Sequence, residues 1–103
     1  MADHTIIHNH LEAFFEDQNK GIERRISQGG PISDIRSALS VIRNSLPKYN
    51  ETTELKLWIL SAQEVLEKEK IRFRREHEDE SGWGSATFTE FSDSLFLLKR
   101  KHS

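Results

Sequence analysis

Apolar residues recur along most of the chain at intervals of three and four positions, which is the spacing of one buried side of an α-helix. In the first segment this stripe consists of Ile7, Leu11, Phe14, Phe15, Ile22 and Ile26. The stretch "QGGP" then ends the helix, because glycines accept positive φ and a proline disfavours helix in the preceding residue. The pattern predicts a helix over about residues 5–27, capped by Asp3 or Thr5 and preceded by a tail of residues 1–4.

Two shorter segments show the same period. The stretch "SDIRSALSVIRNSLP" predicts a second helix with Ser33 as its N-cap and Pro47 as its stop. Near the C-terminus, Thr87 to Glu90 form a capping-box pattern, which predicts a fourth helix over about residues 87–101. The letters "ATFTEF" also alternate as in a strand, but no other segment offers a pairing strand and a lone strand is unstable. We therefore expect helix there.

The third segment, about residues 51–76, is apolar on two sides. Asn50 or Thr52 is expected to cap it. One side carries the stripe Leu55, Ile59, Ala62, Leu66 and Phe73, widened by Trp58, which we expect to be buried. The opposite side carries Leu57, Leu60 and Ile71. A helix that is apolar all round is surrounded by other helices, so this pattern predicts a central helix, or one shared with a second copy.

Together the segments predict an all-α fold, a small bundle of about four amphipathic helices with one long central helix, in a single domain over residues 1–103. The connection over residues 77–86 is acidic and glycine-rich and is the longest of the predicted connections. We therefore expect the fourth helix to dock less tightly than the others, or to dock onto a partner.

Composition narrows the class of protein. The formal net charge is −2 and 31% of the residues are charged, which suits a solvated helical bundle better than a strongly basic nucleic-acid binder. The chain has no cysteine, so disulfides and thiol chemistry are excluded. We find no signal-peptide pattern and no run of apolar residues long enough to cross a membrane, and we expect a cytoplasmic protein without membrane contact.

Candidate catalytic and metal-binding groups are weak. His4 and His8 are four residues apart and Glu12 follows one turn later, but so few ligands are more typical of a polar helix end than of a metal site. No serine, histidine and aspartate occur in a recognisable catalytic arrangement, and a small bundle is expected to offer little concave volume. We therefore expect no enzyme activity, no bound metal and no cofactor.

Two basic segments are candidate binding sites. In "KEKIRFRR", Lys68, Arg72 and Arg75 share one helical face. Following acids, such as Glu76 four residues after Arg72, are placed to neutralise much of that charge. The C-terminal "LKRKH" adds Lys99, Arg100 and Lys101, which complement the negative end of the last helix and have no acidic residue beside them in the sequence.

Trp83 lies between two glycines in the predicted loop, where it either covers the end of the core or contacts a partner. With Leu57 and Leu60 it points to a non-enzymatic helical interaction module, self-associating as a homodimer or binding another protein as an adaptor or regulator. The alternative is a small dimeric nucleic-acid-binding regulator that uses the basic helix faces.

Overall fold

In a computed structural model, the chain is described at residues 2–26, 32–78 and 82–102, and these ranges contain α-helices and no strand. The helices are α1 (Ala2–Ile26), α2 (Ile32–Ser45), α3 (Leu55–His77) and α4 (Trp83–Lys101). The predicted all-α class is confirmed, and "ATFTEF" is helical.

The helices pack around one apolar core to which each contributes most of its predicted stripe; Ile26, at the end of the first stripe, is instead 57% exposed. The fully buried members of the core are Ile7, Ala38, Ile42, Ile59, Ala62, Phe91 and Leu95. Along α4, Phe91 packs against the rings of Phe14 and Phe15 of α1, with ring centroids 4.7 and 5.9 Å apart. The expectation that the fourth helix docks loosely is therefore wrong, because α4 supplies part of the centre of the core.

Helix α3 is not the longest helix, since it has 23 residues and α1 has 25. Two hydrogen bonds from side chains of α3 show its direction relative to α4. Gln63 Nε2 donates to the backbone carbonyl of Ser92 at 3.5 Å, and Lys70 Nζ donates to Thr89 Oγ1 at 2.8 Å. Residue numbers rise along one helix as they fall along the other, so α3 and α4 are antiparallel neighbours.

The first helix begins earlier than predicted. Residues from Ala2 onward are helical, so the predicted tail is wrong, and neither Asp3 nor Thr5 is an N-cap. Asp3 Oδ2 instead accepts a hydrogen bond from the backbone N–H of Leu55 at 3.3 Å, the first residue of α3. This carboxylate thereby satisfies a free N–H at the start of another helix and holds the first turn of α1 in place.

The third helix begins later than predicted, at Leu55, so the predicted caps of this helix are also wrong. Asn50 Oδ1 accepts from the backbone N–H of Thr52 at 2.9 Å and from its hydroxyl at 2.7 Å. Asn50 thus closes a local turn ahead of the helix, in the way that asparagine side chains commonly imitate a backbone turn.

The fourth helix begins four residues before the predicted capping box, so residues 83–86 are helix and not loop. Gly82 precedes it with φ of 74°, a conformation that glycine adopts without strain. Thr87 is inside the helix, where its hydroxyl donates to the carbonyl of Trp83 at 3.0 Å. The capping-box interpretation is therefore wrong, because the glycine supplies an earlier start.

Candidate interaction surface

One side of α3 carries exposed apolar residues among charged ones. At 100° per residue, six side chains lie within about 80° of arc opposite the buried stripe, and we call them the outer face of α3. They are Leu57, Leu60, Glu64, Lys68, Ile71 and Arg75. Leu57, Leu60 and Ile71 are 60%, 49% and 53% exposed. The predicted second apolar side therefore exists, but none of the helices in the described ranges covers it.

Phe96 of α4 extends this surface. The Gln63–Ser92 hydrogen bond places residue 63 of α3 beside residue 92 of α4. One turn earlier in α3 and one turn later in α4, Leu60 therefore lies level with Phe96. The Phe96 ring is 52% exposed. The apolar stripe predicted for the fourth helix did not include Phe96. The run of apolar positions from Leu95 to Leu98 is wider than one buried stripe, and this indicates that some of these side chains are exposed.

The predicted basic residues fall into two separate groups. Lys68, Arg72 and Arg75 are exposed on the C-terminal half of α3. Arg72 is shared between Glu76 at 3.1 Å, as expected, and Glu69 at 3.8 Å. Such exposed pairs contribute about 0–1 kcal/mol to stability, so they leave the surface adaptable.

The other basic group, Lys99 to Lys101, ends α4 beside the start of α3. Lys99 lines a small cleft there together with Asp3, Glu54 and Lys56. Asp3 and Glu54, both distant from Lys99 in sequence, therefore line the same cleft as this charge. Lys68, the nearest member of the first group, is 12 helical positions from Lys56, which is about 18 Å, so the two basic groups lie on different parts of the molecule.

Trp83 is the first residue of α4 and is only partly covered. Its side chain is 36% exposed, and the guanidinium carbon of Arg25 lies 3.9 Å from the ring centroid. Trp83 is therefore an edge residue that Arg25 of α1 covers on one side, and it is not among the buried residues of the core. Trp58 is buried as predicted, and its Nε1 donates to the carbonyl of Pro47 at 2.9 Å.

Gly84, the glycine that follows Trp83, lies at a close contact between α4 and α3. A Cβ on Gly84 would overlap Cε1 of Phe73 and lie 2.8 Å from Cζ of the same ring, which is too close for any side chain. The glycine therefore lets the start of α4 approach the Phe73 ring directly. The two glycines that flank Trp83 have separate structural roles, one in the turn and one in helix packing.

Two of the N-terminal histidines, His4 and His8, contact Tyr49. His8 Nδ1 lies 3.0 Å from the Tyr49 hydroxyl, and its Nε2 lies 3.3 Å from Glu12 Oε1. The ring of His4 packs on Tyr49. In the described ranges, no three His, Cys, Asp or Glu residues are grouped so as to hold a metal ion.

His10 of α1 contacts α4. Its Nε2 lies 3.1 Å from Ser94 Oγ. Burial between the helices lowers the pKa of His10 below its usual 6.5, and the positive charge of Lys101 lowers this pKa further. The neutral ring is therefore the form that the fold favours.

A wide, open groove of about 630 Å³ runs between α1 and the end of α2. Leu11, Phe15, Leu46 and Tyr49 form its apolar surface, and Arg43 lies 4.4 Å above the Phe15 ring. On its acidic edge, Glu16 pairs with Lys20 at 3.2 Å. The groove belongs to α1 and α2 and is separate from the outer face of α3.

None of the helices in the described ranges is both long and apolar enough to span a bilayer. No protein-family model, curated protein or solved structure gives a significant match to this chain.

Proposed function

We propose that this protein is a non-enzymatic helical interaction module, an adaptor or regulator, that self-associates through the outer face of α3. The observation that carries the proposal is the exposure of Leu57, Leu60 and Ile71 along one side of a helix whose other side is fully packed. Each of these side chains is already about half covered, so burying the rest of one stabilises an association by about 1 kcal/mol. In a two-fold dimer each residue contributes twice, so the three residues supply on the order of 6 kcal/mol before the entropic cost of association.

Light scattering after size exclusion tests the proposal. We expect a dimer at micromolar concentration and a monomer for Leu60→Glu, because that change places a charge in the apolar contact. Leu97→Glu is the matched control, because Leu97 is 61% exposed but lies on a different side of α4 from Phe96. The Leu97→Glu protein should still form a dimer. A wild-type monomer throughout the micromolar range would remove self-association as the function.

The alternative, a nucleic-acid-binding regulator, draws support from the outward basic residues Lys68, Arg72 and Arg75. The separation of these residues from Lys99 to Lys101 argues against a single phosphate-binding surface. Fluorescence anisotropy with labelled duplex DNA at increasing salt separates the two functions. Phosphate contacts lose affinity steeply with salt, whereas apolar helix packing does not. A steep loss, together with a monomeric protein, would favour the alternative.

A further inference from the structure

Charge is distributed unevenly along the outer face of α3. The N-terminal half carries Leu57, Leu60 and Glu64, whereas the C-terminal half carries Lys68, Ile71 and Arg75. Each half thus combines apolar side chains with charge of one sign. The two halves are complementary to each other, which is the requirement for a surface that pairs with its own copy.

We propose that two copies pair through α3 in antiparallel orientation, about a two-fold axis that passes beside residue 66. In this register Leu60 packs against Ile71 of the partner subunit, and Glu64 lies opposite Lys68 of the partner subunit. The symmetry repeats both contacts. This inference rests on the proposed function and adds to it the orientation and register of the two chains.

The charges of Glu64 and Lys68 favour the antiparallel orientation over the parallel one. In a parallel pair, Glu64 would face Glu64 of the partner subunit and Lys68 would face Lys68 of the partner subunit, so like charges would meet twice. In the antiparallel pair both contacts join opposite charges, and such contacts commonly set helix orientation. Within the described part of the chain, neither Glu64 nor Lys68 forms an ion pair, so both are available to a partner.

The absence of cysteine makes the register directly measurable, because a single introduced thiol is unique in the chain. In the antiparallel register the two copies of position 67 lie about 3 Å apart along the helix axis, whereas the two copies of position 75 lie about 27 Å apart. We expect Glu67→Cys to be joined by a short bismaleimide and Arg75→Cys not to be. Both positions are exposed, so either change is tolerated by the fold.

The oligomeric state and the two cross-linking results together test the orientation, the register and the proposed function. If light scattering shows a dimer and both variants cross-link, the pairing is parallel and the inference is overturned. A dimer in which neither variant, or only Arg75→Cys, cross-links overturns the register while leaving self-association in place. A monomer overturns the proposed function as well.

Charge reversal gives an independent measurement on the same contact. Glu64→Lys and Lys68→Glu should each weaken the dimer about tenfold, because two attractive contacts become repulsive. The double variant should recover most of that loss, since it restores opposite charges across the interface. Circular dichroism of each variant checks that the helices remain intact. Equal weakening in the double variant would contradict the contact.

Discussion

At the scale of single residues, the arrangement around Trp83 shows how one contact changes the role of a side chain. A tryptophan between glycines suggested either burial or a partner, and the structure places it at an edge under the guanidinium of Arg25. A cation over an aromatic ring at an exposed site contributes about 0.5–1 kcal/mol. The ring is therefore stabilised locally without being part of the core.

We expect Trp83→Ala to lower the free energy of unfolding by about 1–2 kcal/mol, because the ring is partly solvated and the change removes the Arg25 contact together with part of the covered ring surface. A fully buried aromatic residue would cost about 3–5 kcal/mol. Urea denaturation followed by circular dichroism measures the loss. Combining Trp83→Ala with Arg25→Ala should show a coupling of about 0.5–1 kcal/mol. A loss above 3 kcal/mol would instead indicate that the Trp83 ring covers the end of the core.

At the scale of helices, the start of α4 depends on one close approach. Gly84 brings the backbone against Phe73, a ring that is itself buried. Gly21 offers the contrast, since a Cβ at that position within α1 would meet no atom within 4 Å. The same change at the two glycines therefore has opposite expected effects.

We expect Gly84→Ala to destabilise the protein by about 1–3 kcal/mol, because the new methyl group forces the Phe73 ring to move. Gly21→Ala should stabilise it by about 0.5–1 kcal/mol, because alanine loses less backbone entropy in a helix. Thermal and urea melts of the two variants measure these changes. Stabilisation by both substitutions would mean that α4 does not approach Phe73 so closely.

At the scale of the whole molecule, His10 links protonation to folding. Burial between α1 and α4, and then the charge of Lys101, lower its pKa in the folded state. The unfolded chain therefore binds the proton more readily than the folded chain as pH falls below 6.5. The stabilisation from neutral His10 is full above that pH and is lost progressively below it.

We expect the free energy of unfolding to fall between about pH 7 and pH 5, with a smaller fall in His10→Gln, which cannot be protonated. Urea titrations at a series of pH values measure the slope. The glutamine amide preserves a polar group near Ser94, so the comparison isolates the charge. Identical slopes in the two proteins would show that His10 does not govern this dependence.

Much of the fold was readable from periodicity alone. The stripes on all four helices are local patterns, and burial of residues such as Ile42, Ile59 and Phe91 follows once each helix turns its apolar side inward. The second apolar side of α3 was equally visible, because Leu57 and Leu60 have to lie opposite Trp58 and Ile59 on any helix. The sequence by itself therefore determined the all-α class and the side of α3 that the proposed function uses.

The helix ends and the neighbours of each surface residue were decided only by tertiary structure. Asp3 serves a helix that begins 52 positions later, and Trp83 meets an arginine from α1. Phe96 joins the outer face of α3 only because the two helices run antiparallel in one register. Local patterns encode which side of a helix is apolar, but they do not encode which distant group arrives there. That depends on how the packed core sets the distances between helices.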